Sequence, residues 1–257
     1  MSDKSTSIAL VTGSGADRVG RVIARRLAAG GCDVVLHALS SRDEAEAAAD
    51  RIADEFGVRA AVVIGDLADP DVPPRIVREA AERLGGLHIA VNSAAIWSPT
   101  PLADVTADEM RRYFDVNTIA PFLIARESAR VMADAGHGGS IVNIGDWATV
   151  RPYPDHAAYF PSKGAVETMT RSLAVELSRW HREIRVNAVC PGPVLLADDV
   201  PEAERRTIAE SNLLGRVGTP EAVAHAVKFL CTNDFISGQC VVVDGGMRVF
   251  TPGAVRF

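Results

Sequence analysis

The sequence is short of cysteine, of positive charge and of long apolar runs. Its 257 residues include four cysteines: Cys32, Cys190, Cys231 and Cys240. None forms a C-x-x-C pair and none clusters with metal-ligand spacing, so no metal is expected. They read as buried, reduced thiols of a cytosolic protein. Lys and Arg number 27 against 33 Asp and Glu, a net charge of −6. That balance argues against a nucleic acid or an anionic membrane surface as partner. No apolar run approaches the ~20 residues that span a bilayer. The opening Met1 to Ser7 is polar and lacks the basic and apolar regions of a signal peptide. A soluble cytoplasmic protein is expected. Linkers, repeats and low-complexity segments are also missing, which favours one domain over 1–257.

What is present is an alternation of short apolar runs and helical patterns. Ile8–Val11, Val34–Ala38, Ala60–Ile64, Leu87–Val91, Ser140–Ile144, Ile184–Val189 and Cys240–Val243 read as strands. Helices are expected after the first turn up to Gly30, over Asp43–Phe56, beyond Pro70, over Ala107–Ala133, over His156–Trp180 and over Pro220–Cys231. Strands alternating with helices mean an α/β fold: a Rossmann-like, doubly wound parallel sheet of about seven strands with helices on both faces. The polar stretch 194–218 is long enough to be a substrate lid.

The chemistry-bearing residues fall at the ends of these strands. Thr12 to Gly20 is a glycine turn between a strand and a helix, the context in which backbone N–H groups and a helix N-terminus hold a pyrophosphate. After the second strand no carboxylate occurs before Asp43. Ser40, Ser41 and Arg42 suit the 2′-phosphate of NADPH, although the serines could simply cap the next helix. Asp66 could meet an adenine amino group or cap the helix beyond Pro70. Asn117, a poor interior helix residue, sits in the middle of its helical pattern and invites a functional explanation. Tyr159 and Lys163 stand at i and i+4, so they share one helix face. A nearby ammonium lowers a phenol's pKa, which suits general acid–base chemistry near neutral pH.

Together, the turn from Thr12 to Gly20, Asp66, Asn92-Ser93-Ala94-Ala95, Asn117, Tyr159-x-x-x-Lys163 and Pro191-Gly192 resemble the short-chain dehydrogenase/reductase family over nearly the whole chain. The resemblance implies hydride transfer with a nicotinamide cofactor. Tyr159 would be the proton donor, Lys163 would bind the ribose and lower the tyrosine pKa, and Asn117 would hold a relay water. It places Gly13, Val19, Asp66, Leu67, Asn92, Ala94, Pro191, Gly192 and Val194 on the cofactor. A homotetramer paired through the two long helices is implied, since Ala107–Ala133 and His156–Trp180 are apolar on more than one side.

The departures from the common pattern resemble the pteridine reductase branch. Arg18 replaces the middle glycine of the turn, which is one residue longer. Asp146 replaces a serine, and Trp97 precedes Ser98-Pro99-Thr100-Pro101-Leu102. His37 and Asp198-Asp199 fit the same branch. This resemblance implies a pterin or dihydropterin substrate on Arg18, Trp97, Asp146 and Tyr159. The indole would sandwich the heterocycle against the nicotinamide, while Asp146 accepts from its N–H groups. The competing expectation is a general carbonyl reductase, for instance of a 3-oxoacyl thioester, which shares every motif except Asp146, Trp97 and Arg18. A silent nucleotide-binding regulator is opposed by the intact Asn117, Tyr159 and Lys163.

Overall fold

A computed structural model describes residues 6–251. Seven parallel strands form one sheet in the order β3-β2-β1-β4-β5-β6-β7. They are β1 (Ile8–Val11), β2 (Asp33–Ala38), β3 (Ala60–Ile64), β4 (Ile89–Asn92), β5 (Gly139–Ile144), β6 (Ile184–Pro191) and β7 (Cys240–Val243). The chain starts in the middle, winds outward to β3, then crosses back to β4 and winds the other way. At that reversal the loops after β1 and β4 part and leave a crevice at the carboxyl ends of the strands.

Strand periodicity divides the core in two. Leu10, Val35, Ala90 and Ile141 face one cluster, which is covered by α3 (Val72–Leu84), α5 (Ala120–Asp134) and α6 (Tyr159–Leu177). Their neighbours Ala9, Val11, Val34 and Leu36 face the other, covered by α1 (Val19–Ala28), α2 (Arg42–Phe56) and α8 (Pro220–Thr232). Helix ends follow local chemistry. Prolines occupy the first turns of α3, α5 and α8, where a missing N–H costs no bond. Left-handed Gly57 and Gly85 close α2 and α3.

Several boundaries differ from the sequence reading. The fourth strand begins at Ile89, two residues later than expected. The helical pattern from Ala107 is not one helix. It breaks into α4 (Ala107–Phe114), a π-helical turn over Asp115–Ile119 and α5. Pro121 lies in the first turn of α5, so the irregularity falls at Asn117 and not at the proline. Helix α6 starts at Tyr159 and ends at Leu177, shorter at both ends than His156–Trp180. The stretch 194–218 is not irregular throughout, because α7 (Glu202–Glu210) lies within it. All four thiols are free, but only Cys190 is buried, while Cys32, Cys231 and Cys240 are partly exposed. Among the described residues no helix is long and apolar enough to cross a membrane.

One close backbone approach of the fold is at Gly13. Its φ is +65°, and a Cβ there would stand 2.8 Å from Ala94 Cα. Two backbones, one leaving β1 and one leaving β4, touch at this point. Gly13→Ala would add a clash to a conformation that L residues rarely adopt. It is expected to destabilise the protein by about 1–3 kcal/mol, measurable by urea denaturation, and to weaken dinucleotide binding in titration.

Candidate active site

The crevice is a cleft of about 640 Å³ lined by Gly13, Arg18, Val19, Ser40, Ser41, Asp66, Leu67, Ala94 and Trp97, with Ile96, Arg112 and Leu195 among the others. Arg18 occupies the N-cap of α1 and gives no side-chain cap, so no capping side chain competes for the first-turn N–H groups. Thr12 closes the floor: its Oγ1 accepts the N–H groups of Ser93 at 3.0 Å and Ala94 at 3.1 Å. A glycine at the point of closest approach, an uncapped helix start, two serines and an arginine form a cradle that fits a dinucleotide phosphate.

Other expected cofactor residues have different tasks. His37 lines the cleft, but both ring nitrogens are engaged by backbone. Nδ1 accepts from Gly13 N at 3.2 Å and Nε2 stands 3.0 Å from Gly65 O. Since a carbonyl only accepts, Nε2 carries the proton and the imidazole ties the glycine turn to the end of β3. Burial, chiefly, pushes its pKa down, so the ring stays neutral. Arg42 does not line the cleft. Its guanidinium turns to Glu46 on the surface of α2, an ordinary i,i+4 pair. Asp66 Oδ1 accepts from Ala68 N at 2.9 Å, so it shapes its own turn while lining the cleft. Asn92 is buried, and its amide donates to Asn143 Oδ1 at 2.8 Å and Pro121 O at 3.2 Å. Asn143 continues to Thr170 Oγ1 at 2.9 Å. That chain binds β4 and β5 to α6. Pro191 and Gly192 stand at the end of β6 with Val194 just beyond. Gly192 is required there, since a Cβ would lie 2.7 Å from Asp244 Cα.

Outside the lining of the cleft, the loop after β5 and the first turn of α6 bring three ionisable groups together. Tyr159 Oη donates to Asp146 Oδ2 at 2.7 Å. Asp146 Oδ1 accepts from Ala148 N at 2.8 Å, capping a short 3-10 helix over Trp147–Val150. Lys163 Nζ, one turn along α6, donates to Ile144 O at 2.8 Å. Tyr159 and Lys163 are both buried. Pro161 sits in the first turn of α6, where it does not interrupt the helix.

Electrostatics at this trio differ from the expectation for a simple Tyr–Lys pair. Tyr159 is not shifted down: burial, and then the Asp146 carboxylate, push its pKa well above the ordinary phenol value. Burial also raises Asp146, against the pull of the Ala148 N–H, the Tyr159 hydroxyl and Lys163. Lys163 is pushed down to about 8 by burial, with Asp146 holding it up. The resting state therefore keeps the tyrosine proton in place and points it at a carboxylate. The tyrosine is a stored acid rather than a ready base.

Asn117 is almost fully buried in the π-helical turn, and its side chain is fully used. Oδ1 accepts from Ile96 N at 2.9 Å, and Nδ2 donates to Ile96 O at 3.1 Å and to Ser162 Oγ at 3.1 Å. The side chain clamps the segment after β4 to the start of α6. π-helical insertions are frequent at functional sites, and here one aims the amide. Trp97 lines the cleft next to that segment and is 54% exposed. Its indole stacks on His156, with ring centroids 4.8 Å apart.

Ser162, Arg112, Tyr113, Tyr153 and His156 were not singled out in the sequence. Ser162 was findable, lying between Tyr159 and Lys163. Arg112 and Tyr113 reach the site only because α4 stops at the π-turn. His156 was read as the first residue of a helix.

The comparisons with known proteins match this geometry. Residues 15–248 match the family described as enoyl-(acyl carrier protein) reductase. The chain belongs to the short-chain dehydrogenase/reductase family and is an oxidoreductase of the type that uses a nicotinamide cofactor. It is 36% identical to a versicolorin reductase of Emericella nidulans, over 93% of this chain and 94% of that one. It is 32% identical to an L-2,3-butanediol dehydrogenase of Corynebacterium glutamicum, over 94% and 98% of the two chains. The crystal structure of an acetoin dehydrogenase from Salmonella typhimurium superposes with a TM-score of 0.85 at 32% identity, covering 96% of this chain and 99% of that one. These similarities fit a carbonyl reductase better than a pteridine reductase.

The trio predicts a pH effect. Asp146 raises both Tyr159 and Lys163, so Asp146→Asn lowers both pKa values. Lys163 would then lose its charge below pH 8. The alkaline limb of the rate profile for reduction is expected to move to lower pH in the variant. An unmoved limb in a pH series of kcat/KM would show that neither group governs it.

Proposed function

We propose that the protein is an NADPH-dependent reductase of a carbonyl compound, with Tyr159 as the proton donor. The observation that carries this reading is the protonated Tyr159 hydroxyl, held 2.7 Å from Asp146 beside the buried Lys163. The dinucleotide supplies hydride when bound in the cleft. Tyr159 Oη gives its proton to the substrate oxygen, and Lys163, one turn away, supplies positive charge as the phenolate forms. Asp146, in place of a hydroxyl residue, accepts the phenol O–H and keeps it protonated between turnovers; the hydroxyl turns from the carboxylate to the substrate oxygen to donate. Asn117 acts through the backbone of Ile96, holding the wall of the cleft in register.

NADPH is favoured over NADH because β2 ends without a carboxylate while Ser40, Ser41 and Arg18 line the cleft. With Arg42 paired to Glu46, Arg18 is the guanidinium assigned to the 2′-phosphate. The stretch 194–218, which carries α7 and the exposed Leu195, Leu213 and Leu214, is assigned as the lid over the substrate.

A pterin remains the second reading, favoured by one feature: the Asp146 carboxylate is an acceptor suited to ring N–H groups. Against it, the indole expected to sandwich a pterin is stacked on His156.

Assembly as a homotetramer is supported by an exposed apolar groove on the π-turn, α5 and α6, lined by Thr118, Ile119, Phe122, Ala165, Thr168 and Met169. The expected tail contact through Phe257 falls outside the described residues.

Steady-state oxidation of NADPH and NADH across diketones, hydroxyketones, 3-oxoacyl thioesters and dihydropterins tests the reading. Ketones should turn over, and NADPH should be preferred. Tyr159→Phe should cost about 100- to 10,000-fold in rate while NADPH still binds. Turnover of pterins alone would promote the second reading. Light scattering should find the tetramer, and a stable monomer at micromolar concentration would remove the assembly proposal.

A further inference from the structure

Aromatic residues make up only 5% of the chain, yet all three tyrosines stand in one cluster. Tyr113, Tyr153 and Tyr159 join Trp97, His156 and Phe160. Of these the mechanism uses only Tyr159. His156 sits at the centre. Besides its stack with Trp97, its ring meets Tyr153 edge-on at 4.9 Å and lies 6.3 Å from Tyr159 and 6.0 Å from Phe160.

The imidazole is 7% exposed and half satisfied. Nδ1 stands 2.9 Å from Pro154 O. A carbonyl oxygen only accepts, so Nδ1 carries the proton, and in the neutral ring Nε2 is a bare lone pair. Nε2 is buried and has no hydrogen-bond partner among the described residues. An unmet buried acceptor is destabilising. The backbone adds to that cost. Asp155, immediately before, is the one described non-glycine residue with positive φ, at 65°. Its carbonyl accepts Thr100 N at 2.7 Å, tying the loop that carries His156 to the segment that carries Trp97. Strain of this kind persists where surrounding structure enforces it. The result is an acceptor held in place beside the catalytic tyrosine. The indole stacked on its ring face lines the cleft and is 54% exposed.

We propose that His156 is a specificity residue: Nε2 accepts a hydrogen bond from a hydroxyl on the substrate, while the surrounding rings pack against a flat one. The preferred substrate is then an aromatic carbonyl compound bearing a ring hydroxyl. This rests on the carbonyl-reductase reading. Stacking and edge contacts with Trp97 and Tyr153 suit such a ring, and a site that leaves an acceptor unmet discriminates against analogues without a donor.

The test uses matched pairs. Acetophenones hydroxylated at the ortho, meta or para position are compared with their methyl ethers, which cannot donate. Both NADPH oxidation and calorimetric binding to the NADPH complex of Tyr159→Phe are measured. At least one phenol should exceed its own ether by about tenfold in kcat/KM, mostly through KM, and should bind more tightly. In His156→Phe that ratio should collapse toward one, and His156→Asn, which keeps an acceptor, should restore part of it. The comparison within the wild type needs no variant to fold. Equal phenols and ethers in both assays, or a preference unchanged by His156→Phe, would overturn the proposal and leave Nε2 to an ordered water. Discrimination in binding without turnover of any ketone would support the site for His156 while removing the carbonyl-reductase reading.

Discussion

One hydroxyl holds the molecule open at the right place. Where β1 and β4 part, the strand after β4 loses its sheet partner, and the N–H groups of Ser93 and Ala94 would be left without acceptors. Thr12 Oγ1 takes both. An unpaired buried N–H costs roughly 1–3 kcal/mol, so the crevice exists without that penalty. Everything in the site depends on this parting. It lets Gly13 lie against Ala94, opens the start of α1 to an anion, and sends the chain toward Ile96, where Asn117 takes it over. The glycine turn, the wall of the cleft and the catalytic helix are thus linked through Thr12, Ile96, Asn117 and Ser162 by short hydrogen bonds.

The fold was legible because strands and helices alternate with clear periods, and a parallel sheet follows from that alternation. Site membership was also legible for residues at strand ends, such as Gly13, Asp146 and Gly192, since topology alone carries those to one edge. What escaped the sequence was the orientation of side chains. Arg42 and Arg18 are both close to the right place in the chain, but a local Glu46 draws one away. His37 looks like a ligand residue and is a strut, because the backbone on either side of it supplies both partners. The break around Asn117 was not legible, since a π-turn leaves no mark in composition.

The tyrosine shows why spacing alone is an incomplete electrostatic argument. Tyr159 and Lys163 do share a face, but burial acts on both before either acts on the other, and Asp146 lies in direct contact with the phenol. The carboxylate comes from the loop just beyond β5, so no window around Tyr-x-x-x-Lys contains it. The sequence did single out Asp146, and its position beside the tyrosine agrees with that reading. Beside that carboxylate the phenol is raised, against the lowering that the Tyr–Lys spacing alone suggests.

Helix α6 has two occupied sides. One carries Tyr159 and Lys163, and the other supplies Ala165, Thr168 and Met169 to the apolar groove. Across the groove stands the π-turn, whose Thr118 hydroxyl donates to Ser162 O at 2.9 Å. The catalytic end of the helix and the clamp on the cleft wall are therefore the same two elements that form the groove. Whatever fills the groove bears on Tyr159 from behind. A second copy of the chain seated there would make a subunit contact the outer wall of the site.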